Sequence, residues 1–171
     1  MNTIQINKSF LKNKFFKGVF PCDQLPMRRF KLPYALVINT HPASLPGTHW
    51  VALYVNRSNH AEFFDSFGRP LLNKYIVDFI DDHCTSACWN SVRIQSESSE
   101  KCGQFALGYI KARLQGVSPE DFISTFHIEE ENLLENDVII EKWNRRCKAY
   151  RTAIKSKSHK HRCKFQSRMC H

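Results

Sequence analysis

Between positions 34 and 65 the chain carries three short apolar runs of strand length: Tyr34–Thr40 (YALVINT), Trp50–Val55 (WVALYV) and Ala61–Asp65 (AEFFD). Pro42, Pro46 and Gly47 make the first connection a loop, and Asn56–Asn59 reads as a tight hairpin turn. After Gly68-Arg69-Pro70 the period changes. Leu71, Leu72, Tyr75, Ile76, Phe79 and Ile80 recur at three and four residues, predicting an amphipathic helix. Ser91–Gln95 (SVRIQ) predicts a fourth strand. The polar stretch 96–101 then leads into Cys102-Gly103-Gln104, and Phe105–Leu114 is apolar at helical spacing. Ser118-Pro119-Glu120-Asp121 combines a capping Ser, a first-turn Pro and an acid three residues after the cap, which together announce a helix start. A last helix is expected from about Glu129, with Leu133, Leu134, Val138, Ile139 and Trp143 facing inward. The first thirty residues, where Phe10, Phe15, Phe16 and Phe20 are punctuated by Gly18, Pro21 and Pro26, predict no regular element. The pattern is that of an α+β domain with a small, mostly antiparallel central sheet flanked by helices.

At 171 residues and 42% hydrophobic, the chain is long enough for one cored domain and too apolar for a disordered one. No apolar run reaches the roughly 18 residues that a membrane span requires. The polar, basic N-terminus lacks the apolar segment of a signal peptide, so an intracellular, membrane-independent monomer is expected. Seven cysteines at irregular spacing suit free thiols in a reducing compartment.

Charge divides the chain. All 16 acidic residues lie at or before Glu141, whereas 11 of the 25 Lys and Arg lie at or beyond Lys142. The expected organisation is a near-neutral domain over residues 1–150 and a basic, flexible tail over 151–171. Such asymmetry points to a polyanionic partner, nucleic acid first. The candidate contacts are Lys142, Arg145, Arg146, Lys148, Arg151, Lys155, Lys157, Lys160, Arg162 and Lys164, with Trp143, Tyr150 and Phe165 interleaved for base stacking. A solubilising or nuclear-targeting tail has the same composition. His159, His161, Cys163, Cys170 and His171 fit no ordinary zinc spacing, so no metal is expected.

Candidate chemistry concentrates on four residues. Cys102 stands at a loop-to-helix junction, where the helix N-terminus favours a thiolate, and Gly103 admits close approach of a substrate carbonyl. A small buried hydrophobe is the plainer reading of that cysteine. His49 opens the second strand and Asp65 closes the third. A hairpin about the Asn56–Asn59 turn brings both to one sheet edge, as a base with its orienting carboxylate or as a simple ion pair. Gln95, seven residues before Cys102, offers an amide donor for an oxyanion together with the Cys102 N–H, or is an ordinary surface glutamine. His41, mid-loop and without a following Trp, is the weaker histidine.

The order His, Asp, Gln, Cys, in the contexts G-T-H-W, F-F-D-S-F-G and Q-x6-C-G-Q-F, resembles the adenovirus protease family and its relatives in Maverick/Polinton-type elements. More distantly it is similar to the ubiquitin-like protein (SUMO) proteases. The match spans Tyr34–Leu114, about half the chain. It implies a papain-like cysteine protease fold and an endopeptidase that cleaves structural precursor proteins at Gly-containing sites during particle maturation. Cys102 would be the nucleophile, His49 the base and then acid, Asp65 the orienter and Gln95 the oxyanion donor. Asp65 stands where some adenoviral members carry Glu. The resemblance also implies DNA and an activating peptide as cofactors, the latter through a disulfide at Cys84, although a buried structural cysteine is the plainer reading of that residue. It further implies a nuclear or virus-factory location and packaging in the virion. A SUMO- or ubiquitin-like-protein isopeptidase and a non-catalytic nucleic-acid-binding protein on the same fold are the alternatives.

Overall fold

A computed structural model describes residues 3–10, 13–146 and 165–169. In chain order the elements are α1 (Thr3–Ser9), β1 (Phe16–Pro21), β2 (Tyr34–Asn39), β3 (Trp50–Val55), β4 (His60–Phe64), α2 (Lys74–His83), β5 (Ser86–Asn90), α3 (Cys102–Leu114), α4 (Pro119–Ile123), α5 (Asn136–Arg146) and β6 (Phe165–Met169). The six strands form one mixed sheet in sequence order. β1 runs parallel to β2 and β4 parallel to β5, while the β2/β3, β3/β4 and β5/β6 pairs are antiparallel.

The apolar runs are continuous because both faces of the sheet are covered. On one face Ala35, Val37, Ala52, Tyr54 and Phe64 pack with Phe105, Tyr109, Phe122, Ile140 and Trp143. On the other, Leu36, Ile38, Val51, Leu53 and Phe63 pack with Ile76, Phe79 and Ile80 of α2. Neighbouring residues on a strand point to opposite faces, so a strand buried on both must be apolar at every position. α3 is buried over most of its circumference. Gly108 lets it approach α5: a Cβ there would lie 2.4 Å from Ile140 Cδ1. α3 is tied to the sheet by a buried ion pair in which Arg113 Nη2 lies 2.8 Å from Glu62 Oε1, and the Tyr109 hydroxyl donates to Glu62 Oε2 at 3.1 Å.

The central strands and α2 stand within a few residues of their sequence expectation, and Ser118 caps α4 by accepting from the Asp121 N–H at 3.0 Å. Four expectations change. The strand expected at Ser91–Gln95 lies earlier, at Ser86–Asn90 (β5). Residues 94 and 95 instead give their N–H groups to Ser66 O, at 2.9 and 3.0 Å, and so leave the ladder. The first thirty residues contain α1 and β1. β1 escaped notice because Gly18, at φ 136°, shifts its register with β2 and breaks the pattern. Leu134 and Val138 are 56% and 53% exposed, while Leu133 and Trp143 are buried. Finally, Phe165–Met169 lies in the segment expected to be flexible, yet pairs with β5 along its whole length. An open strand edge can order a partner strand through main-chain bonds alone.

Candidate active site

α3 places Cys102 at its first residue, and the sheet supplies the rest of the site. His49 immediately precedes β3 and Asp65 immediately follows β4, so the β3/β4 hairpin delivers both to one sheet end. Asp65 Oδ1 accepts from His49 Nε2 at 2.9 Å and from the Phe67 N–H at 2.8 Å. Because Nε2 is taken by the carboxylate, Nδ1 is the ring nitrogen left for Cys102. His49, Asp65 and Cys102 are 8%, 3% and 8% exposed. Phe67 stacks obliquely on the imidazole at 5.1 Å between centroids, and the Arg69 guanidinium lies over the Phe67 ring at 4.7 Å.

The electrostatics favour a charge-separated pair. Burial raises the Cys102 thiol, but hydrogen bonds from His49 and from the Trp50 and Gly103 N–H groups, with the charge of His49, bring it below its ordinary value. His49 moves the other way, to about 9. Burial alone would lower it, and the hydrogen bonds and charges of Asp65 and Cys102 override that. A second Cys–His contact shows that proximity alone does not produce this effect. His60 Nε2 lies 3.2 Å from Cys88 Sγ, yet burial, then Glu62 and Glu120, push the Cys88 thiol up to about 12. Cys88 has neighbouring carboxylates where Cys102 has a helix start and two N–H donors.

His49, Asp65 and Cys102, the triad expected from sequence, thus meet. Gln95 sits elsewhere in the same network. It is fully buried, its Oε1 accepts from Ser66 Oγ at 2.6 Å, and its Nε2 donates to Ser99 O at 2.8 Å. These bonds brace the segment after β4 against the loop before α3. Gly103 is buried beside the thiol. His41 remains in the loop, with Nδ1 2.9 Å from Pro46 O. Cys84 is buried at the end of α2. Lys142 and Arg145 are exposed on α5, and Arg145 pairs with Glu141 at 3.1 Å. The α5 backbone continues through Arg146, whereas Lys148, Arg151, Lys155, Lys157, Lys160, Arg162, Lys164 and the tail histidines and cysteines fall outside the described residues. A cavity of about 460 Å³ is lined by Trp50, the residue after His49, together with Gly47, Asn39, His41 and Leu45. Among the described residues no group of His, Cys, Asp and Glu is arranged to hold a metal.

Sequence reasoning passed over Asn90 and Phe67. Phe67 stood within the F-F-D-S-F-G motif, while Asn90 carried no signal, because the fourth strand was expected one segment later.

No protein-family model matches the chain. It is 32% identical over 111 residues to a cysteine protease of African swine fever virus, covering 58% of this chain and 40% of the relative. It is 31% identical over 109 residues to a SUMO-1 cysteine protease from another isolate of that virus, covering 57% and 40%. The chain therefore spans about two-fifths of the length of these curated relatives. The crystal structure of the African swine fever virus protease superimposes with a TM-score of 0.56 at 22% identity, over 77% of this chain and 64% of that one. Its selenomethionine form gives 0.53. The chain is homologous to the African swine fever virus cysteine protease over part of its length and shares that enzyme's α+β fold.

Proposed function

We propose that this protein is a cysteine endopeptidase that cleaves structural precursor proteins of a virus or virus-like mobile element during particle maturation. The observation that carries the reading is the buried His49–Asp65 bond beside a thiol at a helix start, with the ring shifted up and the thiol shifted down. Homology to a viral cysteine protease supports the same chemistry.

The proposed reaction uses these groups in turn. The Cys102 thiolate attacks the scissile carbonyl carbon, forming the C–S bond while the carbonyl π electrons move to oxygen. The developing oxyanion takes donors from the start of α3, the Cys102 N–H first. As the tetrahedral intermediate collapses, His49 gives its proton to the leaving amine, and the C–N bond breaks. Neutral His49 then takes a proton from water, whose hydroxide displaces the thiolate from the thioester. Asp65 keeps the ring oriented and favours its protonated form throughout. The substrate chain runs past the cavity that Trp50 helps to line.

The finer adenovirus-type assignment brings further proposals. The basic residues from Lys142 onward bind DNA through phosphate contacts. An activating peptide engages Cys84. The enzyme acts in the nucleus or virus factory and travels in the particle. A second reading, a ubiquitin-like-protein isopeptidase, is favoured by the name of one relative, SUMO-1 cysteine protease.

The test is labelling with a peptide vinyl sulfone ending in Gly-Gly, read by intact mass, with and without DNA and at two salt concentrations. A single adduct, lost in Cys102→Ala and weakened in His49→Ala, is expected. DNA stimulation that fades with salt identifies phosphate contacts. An adduct that persists in Cys102→Ala overturns the assignment. Cleavage of SUMO fusions in preference to Gly-containing peptides selects the isopeptidase.

A further inference from the structure

We propose that Asn90 is the positioning residue of the acidic member of the site: its side-chain amide holds the main chain of Asp65 and so aims the carboxylate at His49. The proposal rests on the protease reading above, in which Asp65 orients the ring.

The β4/β5 ladder ends at the Phe63–Trp89 pair. Asp65 lies two residues beyond it, where main-chain pairing no longer fixes the chain. Asn90 fills that gap. Its Oδ1 accepts from the Asp65 N–H at 2.9 Å, and its Nδ2 donates to Asp65 O at 2.7 Å and to Val92 O at 3.0 Å. One carboxamide thus grips both the N–H and the C=O of Asp65, as an opposing strand residue would. Gripping both groups restrains φ and ψ together and hence the direction of the Cα–Cβ bond. From there the Phe67 N–H on Oδ1 leaves the carboxylate one orientation toward Nε2.

Asn90 is completely buried. A buried carboxamide with three bonds in good geometry is held rigidly, and a side chain that restrains a reacting group's neighbour contributes through that group's alignment. Asparagine suits the place because the amide carries an acceptor and a donor pair at once. Asp lacks the donors and Leu lacks both. The charged or titratable groups that reach His49 are Asp65 from the end of β4 and Cys102 from α3. Arg69 stacks on Phe67.

The test measures the pH midpoint for alkylation of Cys102 by iodoacetamide, site by site with mass spectrometry, in wild type, Asn90→Ala, Asn90→Asp, Asp65→Asn and Val55→Ala. No substrate is needed, so the result stands apart from the identity of the cleaved protein. Val55 is buried at the far end of β3 and reports a loss of stability without a link to Asp65. In Asn90→Ala the midpoint rises by about one pH unit and alkylation at neutral pH slows about tenfold. The change shrinks when Asp65→Asn is already present, because the carboxylate charge that Asn90 aims is gone. Val55→Ala lowers the melting temperature but leaves the midpoint in place. Asn90→Asp preserves the volume and the Asp65 N–H bond and serves where the alanine variant does not fold. It too raises the midpoint, because the Nδ2 donors are lost. A folded Asn90 variant with a wild-type midpoint, or an additive effect on Asp65→Asn, overturns the proposal. Wild-type Cys102 titrating as an ordinary thiol would instead overturn the protease reading itself.

Discussion

Asp65→Asn is the substitution whose outcome the geometry constrains most tightly. Asp65 Oδ1 receives two N–H groups, from His49 Nε2 and from Phe67. An asparagine at this position must turn its oxygen to those donors and its NH2 away. The hydrogen bond and the tautomer survive, and only the negative charge is lost. The rise of His49 from 6.5 to about 9 corresponds to about 3 kcal/mol of preference for the protonated ring, shared mainly between Asp65 and Cys102 after burial has acted against both. Assigning roughly half to the Asp65 charge gives about 1–2 kcal/mol, or about a 5- to 30-fold loss in kcat/KM near neutral pH. Asp65→Ala removes the orienting oxygen as well and frees the ring, so its loss should reach about 10³-fold or more. The assay is kcat/KM against pH on a fluorogenic peptide, with the His49 ring followed by NMR. The descending limb, set in the wild type near pH 9, should move down by about one unit in Asp65→Asn. Two results would refute the reasoning: a His49 titration unchanged by Asp65→Asn, or equal damage from the asparagine and alanine variants.

Other predictions test the frame around the site. The His49 contribution to folding is fully present below pH 6.5 and lost as the pH rises through about 9, because the folded-state value is raised. Urea unfolding at pH 6 and pH 10 should therefore show a larger loss for wild type than for His49→Ala. Cys88, pushed up to about 12, should resist alkylation at pH 7.5 under conditions that modify Cys102 fully, as peptide mapping would reveal. Gly68→Ala should destabilise by about 2–4 kcal/mol, since φ is +65° and the new Cβ would lie 2.7 Å from the Val92 carbonyl carbon. Chemical denaturation measures it, and an unchanged midpoint would contradict the packing. Arg113→Met should cost about 3–5 kcal/mol by leaving buried Glu62 uncompensated, with no change in the Cys102 alkylation midpoint.

What could be seen without the tertiary structure was set by local rules. Strands β2, β3 and β4 announce themselves by continuous apolar runs, the β3/β4 turn by its asparagines, and α2 by a period of three and four. Those same elements carry His49 and Asp65, and the start of α3 carries Cys102. These three residues were legible because each stands at an element boundary, where a strand or helix end fixes its direction. What stayed hidden depends on partners distant in sequence. β1 is a half-buried edge strand interrupted by Gly18, and β6 is ordered by the open edge of β5. Leu134 and Val138 have core chemistry but face outward, because the phase of a short helix is decided by its neighbours. Gln95 has the spacing of an oxyanion donor, yet its burial and its bonds to Ser66 and Ser99 follow from where the chain returns after β5. Asn90 is the clearest case. In the sequence it is one polar residue among several, and only the parallel pairing of β4 with β5 brings its amide against Asp65. Local patterning determined which residues could do chemistry; pairing across distant segments determined which of them are held still enough to do it.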